Sequence, residues 1–206
     1  MIYGIGINDV SPENKNIKIY NLWSAMIRRC YSEKYLEKNP SYRGTKVCDD
    51  WKYFSKFQDW VINNYKDGYQ LDKDIIAGDK KIYSPETCSF IPHELNMSII
   101  EPSNINNQYP LGVTFEKKTA KMKNERTKPY RSKIMKYGKK QNIGIYKTPY
   151  EAHLGWQKAK LEYLNELMEK YHNSLENAVI SGIQRRIDIL QHYINNQQIT
   201  KTINKI

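Results

Sequence analysis

The chain changes its hydrophobic period at Thr148, and that change constrains what its second half can fold into. Before it, residues 111–115, 130–137 and 141–146 read as strands, with a long loop after the first and a turn at Gly138-Lys139 after the second. After it, Thr148-Pro149-Tyr150-Glu151 is a helix start: Thr at the N-cap, Pro at the first position, Glu at the third. Ala152, Leu154, Trp156, Ala159, Leu161, Leu164 and Leu167 carry that helix onward. Three strands followed by a helix predict a compact α+β unit, with the antiparallel sheet packed on the helix.

Charge singles out the same stretch. Residues 111–147 hold 12 Lys and Arg against 2 acidic residues, whereas residues 1–110 hold 14 of each and residues 148–206 hold 7 against 6. Nearly all of the net +11 therefore sits in one block, interleaved with Tyr and Phe. Solvated faces usually mix signs, so a block of one sign is the footprint of a nucleic-acid-binding surface. Strand side chains alternate between faces. Arg131, Lys133 and Met135 thus share one face, while Ser132 and Ile134 share the other and can pack on the Trp156 helix. On the next strand Lys140 and Asn142 alternate with Gln141 and Ile143 in the same way. A three-stranded sheet fits a DNA major groove, where Arg and Lys read guanine and Asn reads adenine. Lys117, Lys118, Lys121, Lys123 and Lys128 lie in the long loop and suit phosphate contacts. Double-stranded DNA is the expected partner.

The first half reads as a second α+β module over residues 1–100, followed by a polar linker at 101–109. A strand is expected at residues 2–7. A helix follows, with Ile19, Leu22, Trp23, Met26, Ile27 and Cys30 on its stripe and Arg28 and Arg29 on its far side. Asp49 or Asp50 is placed to cap a second helix bearing Trp51, Phe54, Phe57, Trp60 and Val61. Residues 69–76 and 80–83 then read as a hairpin about Ala77-Gly78-Asp79, and residues 88–91 as a short strand before a helix opened by Pro92. The sheet unit occupies residues 110–172, and residues 173–206 form an amphipathic tail with Leu175, Val179, Ile183, Ile187, Leu190 and Ile194 on one stripe. That stripe must be buried, either on its own chain or in a homodimer through the tail. No run of ~18 apolar residues exists to span a membrane, and the N-terminus lacks the pattern of a signal peptide. Cys30, Cys48 and Cys88 show no CxxC spacing, so they read as buried hydrophobes in a reducing cytosol.

Tyr109-Pro110-Leu111-Gly112-Val113, Tyr130-Arg131-Ser132-Lys133-Ile134, Gly138-Lys139, Ile143-Gly144-Ile145-Tyr146 and Thr148-Pro149-Tyr150-Glu151-Ala152 together resemble the APETALA-type (ethylene-response) DNA-binding domain. The resemblance covers about residues 109–165. It implies that the sheet enters the major groove, with Lys133, Lys140 and Asn142 at reading positions. An aromatic expected at Asn142 is absent and the loop between the first two strands is longer, so the family's base preference does not carry over.

Residues 20–97 carry a second set of motifs. They are Tyr20-x-x-Trp23-x-x-Met26-x-x-Arg29-Cys30-Tyr31, Val47-Cys48-Asp49-Asp50-Trp51, Leu71-Asp72-Lys73-Asp74, Tyr83-Ser84-Pro85-Glu86-Thr87-Cys88 and Leu95-Asn96. The set is similar to phage proteins related to HNH homing endonucleases, and implies an HNH-like (ββα) module active in the cytoplasm of a bacterial host. An HNH nuclease uses a hairpin His as general base and holds one Mg²⁺ against the phosphate. Here Lys73 stands where that His is expected, and Thr87 stands where relatives often have Asn. His153, His172 and His192 are elsewhere, and His93 is nearest, on the short helix that would carry the last motif residue. Two readings stay open. Either the module is a degenerate, binding scaffold that adds Arg28, Arg29 and Arg43 to the DNA contact and needs no cofactor. Or Asp72 and Asp74, two apart on one strand, hold Mg²⁺ while Lys73 or His93 acts in catalysis. A third reading, from another class, is a protein-binding inhibitor of a host defence or regulatory system.

Overall fold

Apolar residues at helical spacing build the first part of the chain. The computed structural model describes residues 1–101, 108–117 and 126–204. It divides into two compact units, Met1–Ile91 and Pro92–Ile206, and the chain is of the α+β class. In the first unit, helices α1 (Ile17–Tyr31) and α3 (Phe54–Asn64) appear where the stripes predict helix, and a short helix without buried residues, α2 (Glu33–Lys38), follows α1 where no stripe announces it. Asn16 caps α1, its side chain accepting from the backbone N–H of Lys18 and Ile19. Trp23, Met26, Ile27, Trp51, Phe54, Phe57 and Val61 form the core. The Trp23 indole N–H donates to the Trp51 carbonyl at 2.7 Å, so its one polar group is satisfied in the dry interior.

Several local expectations fail here for identifiable reasons. Residues 2–7 make only isolated bridges, Ile2 to Gly6 and Ile7 to Tyr53, because the chain turns back at Tyr3 and Gly4, both at positive φ. Neither Asp49 nor Asp50 caps α3; Tyr53 occupies that position, without a side-chain cap. The hairpin over 69–83 does not form. Strand β2 stops at Asp72 (Tyr69–Asp72) and the chain enters a one-turn helix, α4 (Asp74–Ala77), ended by Gly78 at φ 62°. The short strand at Lys46–Val47 (β1) instead pairs in parallel with β3 (Ile82–Tyr83), while β2 pairs with β4 (Ser89–Pro92).

The second unit begins at Pro92, so α5 (His93–Ile99) belongs to it and not to a 1–100 module. The expected linker at 101–109 lies mostly outside the described residues. Strands β5 (Val113–Phe115), β6 (Tyr130–Lys136) and β7 (Lys139–Tyr146) form one antiparallel sheet in that order. Helix α6 (Pro149–Tyr171) starts at Thr148 with both hydrogen bonds of the predicted capping box. Val113, Ser132 and Ile134 are buried on the sheet face toward α6, and Ala152 and Trp156 are buried on the helix.

The tail stripe is covered by its own chain. Helix α7 (Asn177–Asn195) packs on α6 and buries Val179, Ile183, Ile187 and Leu190. The residues beyond α7 then run back as a strap. The Gln157 amide donates to the Gln198 carbonyl and the Thr200 hydroxyl at 2.8 and 2.9 Å. The Thr200 N–H donates to His153 Nε2 at 2.9 Å, which makes that nitrogen the acceptor and leaves Nδ1 to donate to the Leu111 carbonyl. His153 is fully buried, and burial holds its pKa below the ordinary value. Farther along, Glu101 accepts from the Thr202 hydroxyl and the Ile203 N–H, both at 2.6 Å. No helix among the described residues is long and apolar enough to cross a membrane.

Candidate nucleic-acid interface

The turn between β6 and β7 is two residues long, with Tyr137 at φ 51° and Gly138 at φ 70°. Positive φ at both central positions matches the twist of a tight hairpin, but it strains a residue as bulky as Tyr. The helix below offsets that strain. The Tyr137 N–H donates to the Tyr163 hydroxyl at 2.9 Å, and the Tyr137 hydroxyl donates to Glu166 at 2.8 Å. Lys136 pairs with the same carboxylate at 2.7 Å. Glu166 is held below the ordinary carboxylate range by these two hydrogen bonds, Lys136 first. Lys136 therefore anchors the hairpin.

The pairing register sorts the remaining side chains. Thr114, Arg131 and Ile145 stand opposite one another across the three strands, Lys133 faces Asn142, and Met135 faces Lys140. Directly opposed residues share a face, so these seven lie on the side turned away from α6. The register shifts between Ser132 and Lys133, leaving Ile143 without a cross-strand partner. This bulge lets Asn142 fall opposite Lys133; an unbroken ladder would place Ile143 there. Arg131, Lys133, Lys140 and Asn142 are thus brought together as the alternation predicts.

Their charges are not equivalent. Arg131 donates from Nε and Nη2 to the two oxygens of Glu116, the second bond at 2.8 Å. Arg126 approaches the same carboxylate at 3.8 Å. The hydrogen bond from Arg131 holds the Glu116 carboxyl below its ordinary range. Arg131 is consequently fixed in direction and half neutralised, with three of its five N–H groups left outside the pair. Among the described residues no ion pair engages Lys133 or Lys140. Sequence reasoning missed Glu116, one of the block's two acids, and its spacing three residues after Val113 is the only hint of its role. Lys117 and Lys128 are exposed, as phosphate contacts require. Lys118, Lys121 and Lys123 lie outside the described residues.

The first unit divides its expected residues differently. Arg28 is exposed, with its guanidinium 5.4 Å from the centre of the Tyr35 ring, and Arg43 is exposed. Arg29 is not on the solvent side of α1. It is half-buried and hydrogen-bonded to the buried Tyr83 hydroxyl, whose pKa burial pushes far up. It serves the interior of the unit.

Asp72 and Asp74 do not share a strand face. Asp72 is buried, and its Oδ1 accepts from the backbone N–H of Asp74 at 2.9 Å and of Ile75 at 2.6 Å, which ties down the start of α4. Asp74 is the first residue of that helix and pairs with the Lys73 ammonium, whose side chain is largely buried near Tyr83. One carboxylate spent on a helix start and the other neutralised by an ammonium do not fit the donor set of a Mg²⁺ site. Among the described residues no group of three or more His, Cys, Asp and Glu is placed to hold a metal ion. His93 is exposed on α5 and belongs to the second unit. The Cys30 and Cys88 thiols are buried and pushed up to about 12, so they are inert as nucleophiles. Comparison of the chain with protein-family models, with curated proteins and with solved structures returns no match.

Proposed function

We propose that this chain binds double-stranded DNA, with the outer face of β5, β6 and β7 in the major groove. The observation that carries the reading is the register. It gathers Arg131, Lys133, Lys140 and Asn142 on one accessible face, inside a block of 12 basic and 2 acidic residues. Three strands about 4.8 Å apart make a ribbon roughly 10 Å wide, which a major groove of about 12 Å accepts. Lys117 and Lys128, with Lys118, Lys121 and Lys123 of the same loop, meet phosphates and set the register of the protein on the duplex.

In this reading the first unit is a degenerate relative of the HNH homing endonucleases of phages, acting in the bacterial cytoplasm. It adds binding through Arg28 and Arg43 and does not cleave. The engagement of Asp72 in helix capping and of Asp74 with Lys73 supports that role. A plasmid assay with Mg²⁺, with Mn²⁺ and with chelator, run beside Asp72→Ala/Asp74→Ala, tests it. The expected outcome is a mobility shift with the supercoiled plasmid left intact in every condition. Metal-dependent nicking that disappears in the double variant would overturn the non-cleaving assignment and make the first unit a divalent-metal endonuclease.

A further inference from the structure

The reading face contains two residues that charge does not explain. Ile145 is 48% exposed and Met135 is 37% exposed, each set among cationic and polar neighbours. Ile145 shares its row with Arg131, and Met135 stands opposite Lys140. Neither has a role under the sheet, because Ser132, Ile134 and Val113 supply the packing on α6. In water they gain nothing from their position. In a major groove they meet one apolar feature of the base edges, the 5-methyl group of thymine, which is what apolar side chains contact there.

We infer that Ile145 and Met135 read thymine methyl groups, so that the preferred duplex carries a thymine at each end of the sheet's reading face. The inference rests on the DNA-binding reading above and specifies its target. The row of Ile145 and the row of Met135 are separated by the four residues from Arg131 to Met135 on β6, about 13 Å along the strand. Laid along the groove at about 3.4 Å per base pair, that distance places the two thymines roughly four base pairs apart. Asn142 and Lys133 lie between them. The amide of Asn142 matches adenine N6 and N7, and Lys133 matches guanine O6 and N7. Arg131, tethered by Glu116, is held at the Ile145 end.

Deoxyuridine differs from thymidine only by this methyl group, which makes the test direct. Duplexes with a randomised 20-base-pair core are selected on the full-length protein, and the selected pool is then copied once with dTTP and once with dUTP. Affinities of the two pools are measured for the wild type and for Met135→Ala/Ile145→Ala, whose melting temperature is checked against the wild type. A buried methyl-sized group contributes about 0.8 kcal/mol, or about fourfold in affinity, so with both methyl groups lost the uracil pool is expected to bind the wild type about fifteenfold more weakly. The double variant is expected to bind the thymine pool as weakly as the uracil pool. Equal binding of both pools by the wild type, with strong binding throughout, overturns the methyl-reading inference and leaves DNA binding standing. Discrimination retained in the double variant overturns the assignment to these two residues. No binding of either pool at low salt removes the underlying DNA-binding reading as well.

Discussion

Gly112→Ala is expected to destabilise the sheet-and-helix unit by about 2–5 kcal/mol, a large share of the 5–15 kcal/mol that usually holds a domain together. Two independent costs meet at this position. Gly112 sits at φ 77°, where a residue with a Cβ is strained by roughly 1–2 kcal/mol. An added Cβ would also lie 2.0 Å from Trp156 Cδ1 and 2.2 Å from its Cγ. The indole is buried on α6 and stacks on His153, which is itself bonded to the Leu111 carbonyl, so the ring cannot yield without loosening the start of β5. Such overpacking typically costs 1–3 kcal/mol, occasionally more. The Gly112 carbonyl also accepts from the Lys133 N–H at 2.8 Å, so a shift here reaches β6. Gly138→Ala is the control. Its φ is 70°, but an added Cβ there meets nothing within 4 Å among the described residues. Thermal unfolding followed by circular dichroism is expected to show a loss of about 10 °C or more for Gly112→Ala and a clearly smaller one for Gly138→Ala. Equal losses would mean that Trp156 does not brace the sheet.

Lys160→Met is expected to change how stability depends on pH. Lys160 is buried, its ammonium donating to the Ser98 carbonyl, and burial pushes its pKa down to about 8, with Arg186 adding to the shift and Glu101 opposing it. In the unfolded chain a lysine titrates near 10.4. Below pH 8 both states hold the proton, and the folded state carries the full cost of a buried ammonium. Between pH 8 and 10.4 the folded state has released the proton and the unfolded state has not, so stability from this residue rises with pH. The gap corresponds to about 3 kcal/mol. Methionine has no ammonium to bury, so its stability relative to wild type is greatest at pH 7 and declines by most of that amount by pH 10. The Cys30 and Cys88 thiols also titrate differently in the two states, but equally in both proteins, and cancel from the comparison. Urea unfolding at pH 7, 8.5 and 10 reads the difference. Parallel profiles for the two proteins would show that Lys160 is not held as a buried charge.

The parts legible in the sequence are those specified by neighbours in the chain. The helix start at Thr148 is written in four consecutive residues, and the stripes of α1, α3, α6 and α7 repeat every three or four. The grouping of Arg131, Lys133 and Met135 on the outer face of the sheet followed from simple alternation along β6. What was not legible depends on partners far away. Asp74 looked like a strand residue because nothing local announces that the Asp72 carboxylate at the end of β2 will collect the N–H groups of Asp74 and Ile75 and start a helix. Strand β3 looked like the return of a hairpin, yet it pairs with β1 some 36 residues earlier (a parallel pairing that no turn signals). Arg131 looked like a free cation until the fold delivered Glu116 to it, and the bulge at Ile143 is a matter of register that composition does not carry. The tail offered a stripe with two ways to be covered. Packing on α6 covers the stripe within the chain, a contact that depends on neighbours in three dimensions and not on the pattern itself.

The central claim is that one basic sheet face holds duplex DNA, and the salt dependence of affinity tests it most directly. Fluorescence anisotropy with a labelled 30-base-pair duplex, from 50 to 200 mM salt, yields the slope of log affinity against log salt. Each neutralised phosphate contributes about −0.9 to that slope, so contacts from at least four cations of the block imply a loss of about a hundredfold across the range. A steep linear fall of that size is the predicted result. A flat response, or no binding at 50 mM, would contradict the account.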